Sequence, residues 1–510
     1  MKFLIAPLLA ITLAAILSGA AATQAPPRAA FYLSPKGSDA SACTQARPCR
    51  SFDRAARVAR PGEVVEVADG TYGDVNLSGG SNIGQGRIVF QAAPGATPTA
   101  GDLDVRNRSH LVFKNLEFRS WYVRYSSDIT FRNVKTRYFF VRSSNGVRIL
   151  GGSVGPSQDG TSPTIGNYDG AQAISKNVVI DGVYFHDIGR QQDRSAHVEC
   201  LFLQESTGIV IRNSRFTRCD IIDLYISPVH GGPNASNVLI ENNWFDEPTG
   251  GGYYAIDIFP DNGTVPRNFT LRYNSVNGSI WINPDFNYQN MVVSSNIGRV
   301  PECARSITYR SNVWSNRKCG QTDRVARHGY VDPAHFDLHL AAGSPAIAAG
   351  DPGQRPAADI DGDRRPAKIA PDAGADQRES AVLNLRGRIG RVRIGQRRAT
   401  VEAARGPGSV SHVRRAGRTL VRASYRVPGG RLWVLYGADT VVGIGTSSPA
   451  YATTGGLGPG SQQAYIQKKA VQSRCQRALK TLRGRVAAYW SLSAGKVARV
   501  ELLRKPYGGC

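Results

Sequence analysis

Residues 177–182 read NVVIDG, residues 208–213 read GIVIRN and residues 237–242 read NVLIEN. Each opens on a polar residue or glycine, alternates apolar, any, apolar, and closes on a charged residue followed by Asn or Gly. Variants of the phrase stand as HLVFKN at 110–115, DITFRN at 128–133, GVRILG at 146–151, NFTLRY at 268–273, NMVVSS at 290–295 and SITYRS at 306–311. Taking its second apolar position as an anchor gives Phe113, Phe131, Ile149, Ile180, Ile211, Ile240, Leu271, Val293 and Tyr309, with gaps of 18, 18, 31, 31, 29, 31, 22 and 16 residues. Alternation at period two is a strand. Its recurrence every two to three dozen residues marks stacked units that cannot bury their apolar face alone.

No tight two-residue hairpin and no long amphipathic helix joins these strands, which argues against a stacked-sheet sandwich and for a parallel β-helix. Each coil would lay its strand on the one below at about 4.8 Å, so that apolar residues form inward ladders. Asn or Gly after the strand suits a sharp turn, because both tolerate left-handed backbone angles. The unequal gaps are insertions in the turns.

The chain has 510 residues, room for two or three domains. Its first 22 residues, a lysine, then FLIAPLLAITLAAILSG and three alanines, read as a secretory signal peptide cut after Ala22, so the protein is expected outside the cell or in its envelope. No other segment is apolar for long enough to span a bilayer. Eight cysteines fall into close pairs, Cys43 with Cys49, Cys200 with Cys219, Cys303 with Cys319 and Cys475 with Cys510, most simply read as sequence-local disulfides. No CxxC occurs, which points away from zinc.

Charge is lopsided. Residues 381–510 hold 24 Lys plus Arg against three acids, Glu402, Asp439 and Glu501, and so carry +21 of the formal +24. A basic module on an exported chain suggests an anionic envelope polymer as partner and points away from nucleic acid.

Near the start, FYLS reads as a strand and SFDRAARVAR as a short amphipathic helix capped by Ser51, with Phe52, Ala55, Ala56 and Ala59 on one side. Such a helix before the first coil covers the open apolar end of a solenoid. YLSPKGSD, this helix, PGEVVEVADGTY and the repeats resemble the secreted right-handed parallel β-helix proteins, a group that includes pectate-lyase-like polysaccharide enzymes. FDLHLAAGSPAIAAGDP, DIDGDRRP and PDAGAD are similar to the closing segment of many exported bacterial members. Together these matches cover residues 31–377 and imply the fold, of about 9–11 coils, more than a reaction.

Residues 378–388 read as a linker and 389–510 as a small α+β domain. RVRIGQRRATVEAARGPG reads as a helix closed by Gly406 and Pro407, followed by strands LVRASYRV, LWVLYG, VVGIGT, AAYWSLS and VARVELL. GGLGPG lacks the Lys-Ser/Thr of a phosphate loop.

A second strand per coil aligns as SWYVRY, RYFFVRS, GAQAIS, ECLFLQ, IDLYIS, AIDIF and SIWIN. With Val123, Val141, Ile174, Leu203, Ile226, Ile258 and Ile282 turned inward, one outward column holds Tyr122, Phe140, Ala173, Phe202, Tyr225, Asp257 and Trp281. The next holds Arg124, Arg142, Ser175, Gln204, Ser227, Phe259 and Asn283. A contiguous aromatic strip marks a binding surface. Sugar rings stack on Phe202, Tyr225, Phe259 and Trp281, while Gln204, Asn283, Arg124 and Arg142 hydrogen-bond hydroxyls and carboxylates. Turn insertions folding back over these rings are the alternative.

Asp223 and Asp257, one coil and two columns apart, would have α-carbons about 8 Å from each other. That suits an inverting glycoside hydrolase. Equally, the two with Glu199 would hold a calcium ion that neutralises an acidic sugar, as a polysaccharide lyase requires. No lysine enters the columns as a base, which counts against elimination. His230, in SPVHGG, lies in the turn after the Tyr225 strand and is a third catalytic candidate. The fragment resembles the Gly-His-Gly of polygalacturonase-like hydrolases, but Val229 replaces the first Gly and the NTD and RIK signatures are missing. The expectation is a protein that binds or cleaves an extracellular, acidic polysaccharide; the alternative is a non-catalytic cell-surface β-helix held to the envelope by its basic domain.

Overall fold

The computed structural model describes residues 29–510 except 80–85, 167–173, 229–232, 251–253, 261–263, 342, 364, 366–369, 379–382, 406–407, 428–429, 450, 454–456, 468–470, 473–477, 484 and 506–510. The signal segment, His230, Ala173 and the Cys475 and Cys510 pair therefore lie outside the described residues.

The nine anchors form one ladder. Phe113, Phe131, Ile149, Ile180, Ile211, Ile240, Leu271, Val293 and Tyr309 stand opposite one another in consecutive parallel pairings. The same ladder continues toward the N-terminus through Phe90, Val65 and Phe31. From Val65 to Val293 none of these side chains is more than 3% exposed. This is the parallel β-helix expected from the resemblance. Aromatic stacking reinforces it: the Phe90, Phe113 and Phe131 rings follow one another at 5.6 and 5.3 Å, and Phe185, Phe216 and Phe245 at 4.5 and 4.7 Å.

The turn after each anchor strand needs a left-handed residue. Asn115, Asn133, Gly151, Gly182, Asn213 and Asn242 supply it with φ between 51° and 72°. In later coils Tyr273, Ser295 and Ser311 adopt φ of 54°, 58° and 57°, a conformation that costs an ordinary side chain roughly 1–2 kcal/mol. Tyr273 is held there from outside: its hydroxyl donates to the Asp351 carbonyl at 2.6 Å, and the Arg365 guanidinium lies 4.4 Å from its ring centroid. One residue beyond the turn, side chains point inward and form a polar ladder. The Asn243, Asn274, Asn296 and Asn312 amides each donate to the next side-chain carbonyl or carboxylate, at 3.0, 3.0, 3.1 and 3.0 Å, ending on Asp323.

Each coil has three faces. The anchor strands make the first; Tyr184–Ile188, Arg215–Cys219 and Trp244–Phe245 belong to the second. The third comprises Ser120–Arg124, Tyr138–Arg142, Thr164–Ile165, Glu199–Leu203, Ile222–Ile226, Ile256–Ile258 and the end of Ser275–Ile282. The helix Phe52–Val58 covers the N-terminal end, with Phe52, Ala55 and Ala56 buried and the Ser51 hydroxyl accepting from the Arg54 N–H at 3.1 Å. Disulfides join Cys43 to Cys49, Cys200 to Cys219 and Cys303 to Cys319. Among the described residues no helix is long and apolar enough to cross a membrane.

The segment after the repeats runs along the second face. Leu338, Leu340, Ala346, Ala373 and Ala375 pack with Trp244, Ile297 and Val313, and the Gly374 N–H donates to the Ser295 carbonyl at 2.7 Å. Residues 359–363 form a turn in which Asp359 accepts from the Asp361 and Asp363 N–H groups at 3.0 and 2.7 Å. Into it projects Arg391, whose guanidinium lies 3.1, 2.5, 2.6 and 2.8 Å from Asp359, Asp361, Asp363 and Asp376. His339 bridges Asp337 and Asp361 at 2.5 and 2.9 Å. Burial by itself would raise the Asp361 carboxyl, but His339, Arg391 and Arg215 hold it well below its usual value. Burial pushes Asp359 up to about 7, with Arg391 opposing and Asp361 and Asp376 adding to the rise.

The C-terminal unit is an eight-stranded antiparallel sheet with the short helices Arg398–Arg405 and Gln463–Gln467. All five expected strands are present, and Ser409–Arg415 and Ala478–Arg483 add to them. Part of the stretch read as linker belongs to this unit: Leu383 is 1% exposed and packs with Ile389 and Val392 in its core.

Two stability outcomes follow. Asn274→Ala breaks the inner amide ladder and is expected to cost roughly 1–3 kcal/mol for each orphaned group, whereas exposed Asn268→Gly, which keeps the left-handed backbone, should cost less than about 0.5 kcal/mol in urea denaturation. Arg391→Met leaves buried carboxylates without their cation and should cost about 3 kcal/mol or more near neutral pH. Because protonated aspartates no longer need the guanidinium, that deficit should shrink as pH falls through the carboxylate range; a pH-independent deficit would count against the ion cluster.

Candidate functional site

The third face carries one outward column. Tyr122 pairs with Phe140, Phe140 with Thr164, Thr164 with Phe202, Phe202 with Tyr225, Tyr225 with Asp257 and Asp257 with Trp281. The alignment differs from expectation in one coil. There the strand is Thr164–Ile165, so Thr164 and Gly166 take the column positions assigned to Ala173 and Ser175, and Ile165 replaces Ile174 in the inward ladder. Ser175 instead pairs with Ser206 as a first-face strand begins. GAQAIS looks more strand-like than SPTIG, but the chain places its insertion before the third-face strand and after it. Gly166 is required: at φ 133° a Cβ there would lie 2.5 Å from that of Gln204.

The column holds two aromatic groups. At the N-terminal end Tyr122 stacks on Phe140 at 5.4 Å, with Arg124 and Arg142 lying 5.8 and 5.1 Å from their ring centroids. Arg124 is also paired with Asp104. Further along, Phe202 stacks on Tyr225 at 5.0 Å and Tyr254 on Trp281 at 5.2 Å, with Asp257 in register between Tyr225 and Trp281. In the second column Gln204 is fully buried, Asn283 is 9% exposed with its side-chain carbonyl accepting from the Asp285 N–H, and Phe259 stands out at 40%. Gln204 and Asn283 are thus enclosed, and Phe259 sits at the rim. Arg124 and Arg142 lie coils away from Asp257.

Asp257 is the acid of the outward column, 9% exposed. Burial pushes its carboxyl up to about 7, the His197 charge opposing and the Glu199 charge adding to the shift. Glu199 is buried, accepting from the Ser162 hydroxyl at 2.7 Å and bonding the His197 Nδ1. That bond raises the His197 value against the effect of burial. The His197 ring lies 5.6 Å from that of Tyr225, and its side chain is half exposed. A carboxyl with a raised value and an imidazole with a raised value thus act on one another beside the Tyr225 ring. His197 and Tyr254 were not singled out from sequence; the alternation of His197 with Glu199 at the start of ECLFLQ was the available signal.

Asp223 is placed differently from expectation. It is 0% exposed, its Oδ2 accepts from the Asp246 N–H at 2.9 Å, and its carboxyl lies against the Cys200 and Cys219 sulfurs. Burial, with the nearby Asp246 charge, raises its value well above normal. The chain just after Trp244–Phe245 bonds it, and Asp223 is wholly enclosed where Asp257 keeps 9% exposure. Among the described residues no group of three ligating atoms unites Asp223, Asp257 and Glu199, the set considered for calcium, and both Glu199 oxygens are engaged. A calcium ion wants six to eight converging oxygens.

No protein-family model matches the chain, and no curated protein matches it. Among solved structures it is similar to the pectate lyase Pel9A, at 14% identity and TM-score 0.44 over 69% of this chain and 97% of that one. A rhamnogalacturonan lyase matches at 12% identity and TM-score 0.33 over 59% and 90% of the two chains. PfbA, a surface adhesin of Streptococcus pneumoniae, matches at 13% identity and TM-score 0.38 over 52% and 80%. The site's chemistry is read from its own residues.

Carboxyl titration by NMR should find Asp257 changing state near pH 7. Because its folded value lies above the unfolded one, its protonated form stabilises the fold at low pH, and that contribution disappears as pH rises through about 7. A midpoint in the ordinary range near pH 4 would remove Asp257 as a proton donor.

Proposed function

We propose that the protein is secreted, binds an extracellular acidic polysaccharide along the third face, and hydrolyses it with Asp257 as general acid. The observation that carries this reading is a carboxyl pushed up to about 7 between two aromatic side chains, Tyr225 and Trp281. Pyranose rings stack on such faces, and the half-exposed His197, kept protonated by Glu199, pairs with a sugar carboxylate. Asp257 gives its proton to the glycosidic oxygen as the bond to the anomeric carbon breaks. Water then adds to that carbon and returns a proton to the Asp257 carboxylate, restoring the acid.

The inverting pair with Asp223 has no place in this scheme, because Asp223 is enclosed. β-Elimination is the less favoured reading: the Glu199 bond raises the His197 value, which works against its acting as a base, and among the described residues no three ligating atoms of Asp223, Asp257 and Glu199 come together. The disulfides support export. The basic C-terminal unit would hold the protein to an anionic envelope polymer by salt-sensitive attraction.

The test is release of reducing ends from polygalacturonate, alginate and glycosaminoglycans. Hydrolysis should fall above about pH 7, and Asp257→Asn should lower it at least about a hundredfold with the fold intact. Unsaturated products would replace hydrolysis by elimination. Retention without turnover would favour the non-catalytic surface protein.

A further inference from the structure

The C-terminal sheet curls on itself. Arg415 lies on an edge strand four steps from the strand of Glu501, yet their side chains are 3.4 Å apart. A flat sheet would separate those strands by about 19 Å. The hairpin formed by Ser409–Arg415 and Arg418–Val427 therefore folds over the inner face, where Leu420, Leu435, Val442, Tyr489 and Leu503 pack together.

Trp433 packs in this cluster and lies flat on the sheet. Gly445 makes that possible, since a Cβ there would meet the indole at 2.2 Å. The Trp433 Nε1–H donates to Glu501 at 2.8 Å, and the Arg422 guanidinium covers the ring at 4.9 Å. Burial lowers the Arg422 value; Glu501 opposes this, while the charges of Arg499, Arg415 and Arg431 add to it. Arg415 contacts Glu501, Arg422 covers the Trp433 ring that Glu501 bonds, and Arg431 and Arg499, two residues before Trp433 and Glu501 on the strands flanking Thr440–Thr446, share the same face. The other acids of residues 381–510 do not help: Glu402 pairs with Arg398 at 2.6 Å, and Asp439 sits in the turn between Gly430–Gly437 and Thr440–Thr446.

Cations at this density repel unless a partner brings negative charge. Glu501 shows what kind fits, for it is a carboxylate seated between Arg415 and the Trp433 N–H. We infer that Arg415, Arg422, Arg431 and Arg499 form a binding site for the carboxylate groups of an acidic polysaccharide chain, an inference that rests on the polysaccharide reading above only for the choice of polymer. A planar guanidinium takes a carboxylate through paired N–H donors. A polymer supplies several carboxylates at once, which a single small anion does not.

Full-length Asp257→Asn protein, in which no cleavage confuses the assay, is titrated with polygalacturonate, dextran and polyphosphate at about 0.05 M and about 0.5 M salt. A failed retention assay then leaves the hydrolysis reading standing, and a failed hydrolysis assay leaves this one standing. Polygalacturonate should bind at low salt, with Arg422→Ala/Arg499→Ala weakening it at least about tenfold and the exposed pair Arg386→Ala/Arg393→Ala by less than about threefold. Arg422→Lys/Arg499→Lys, which keeps charge and loses the fork, should bind between these two. Equal losses in both alanine pairs would show that the polymer senses net charge alone and overturn the site. Binding of neutral dextran, or tighter binding of polyphosphate than of polygalacturonate, would also overturn it.

Discussion

Parallel stacking at a fixed strand spacing governs this molecule. Each coil must return one strand width further along the axis, so every turn after an anchor strand has to bend alike. That is why left-handed backbone recurs at Asn115, Asn133, Gly151, Gly182, Asn213 and Asn242, and why Tyr273 is forced into it where no Asn or Gly is available. The following residue then points inward at a constant height, and Asn243, Asn274, Asn296 and Asn312 hydrogen-bond in sequence through otherwise apolar surroundings. Burying amides in this way costs little because each satisfies the next.

The same scaffold treats buried acids in two ways. Beside the repeats, Asp359, Asp361, Asp363 and Asp376 surround Arg391, and with His339 and Arg215 the charges are largely compensated. This joins the closing segment to the C-terminal unit. On the third face burial outweighs the opposing His197 charge at Asp257 and pushes its carboxyl up to about 7. Within the ion cluster Asp361 is held charged by its cations, whereas desolvation raises Asp359 as it raises the candidate catalytic acid, so a raised carboxyl alone does not mark the site.

Much of the architecture was readable because it depends on local repetition. Anchors from Phe113 to Tyr309, the capping helix behind Ser51 and the strands of the basic unit follow from periodicity, turn residues and composition. The third face was harder, because its strands are short and the insertions between them vary. In the coil where Thr164 and Gly166 fill the columns, strand-like composition pointed to the wrong segment. Asp223 and Asp257 looked equivalent in sequence, both on outward positions next to aromatic residues. The Asp246 N–H that bonds Asp223 lies just beyond Trp244–Phe245, in the next coil, and nothing local to Asp223 announces it.

By itself, then, the sequence determined the repeat, its register on the first face, the disulfide pairs among the described residues and the concentration of positive charge in the last quarter of the chain. These rest on period, spacing and composition, which are properties of neighbours along the chain. Only the tertiary structure decided that Asp223 is fully enclosed while Asp257 keeps 9% exposure, that His197 and Glu199 act on Asp257, and that a curled sheet brings Arg415 to Glu501. Those outcomes depend on burial and on contacts between residues dozens of positions apart, which no local stretch of sequence records.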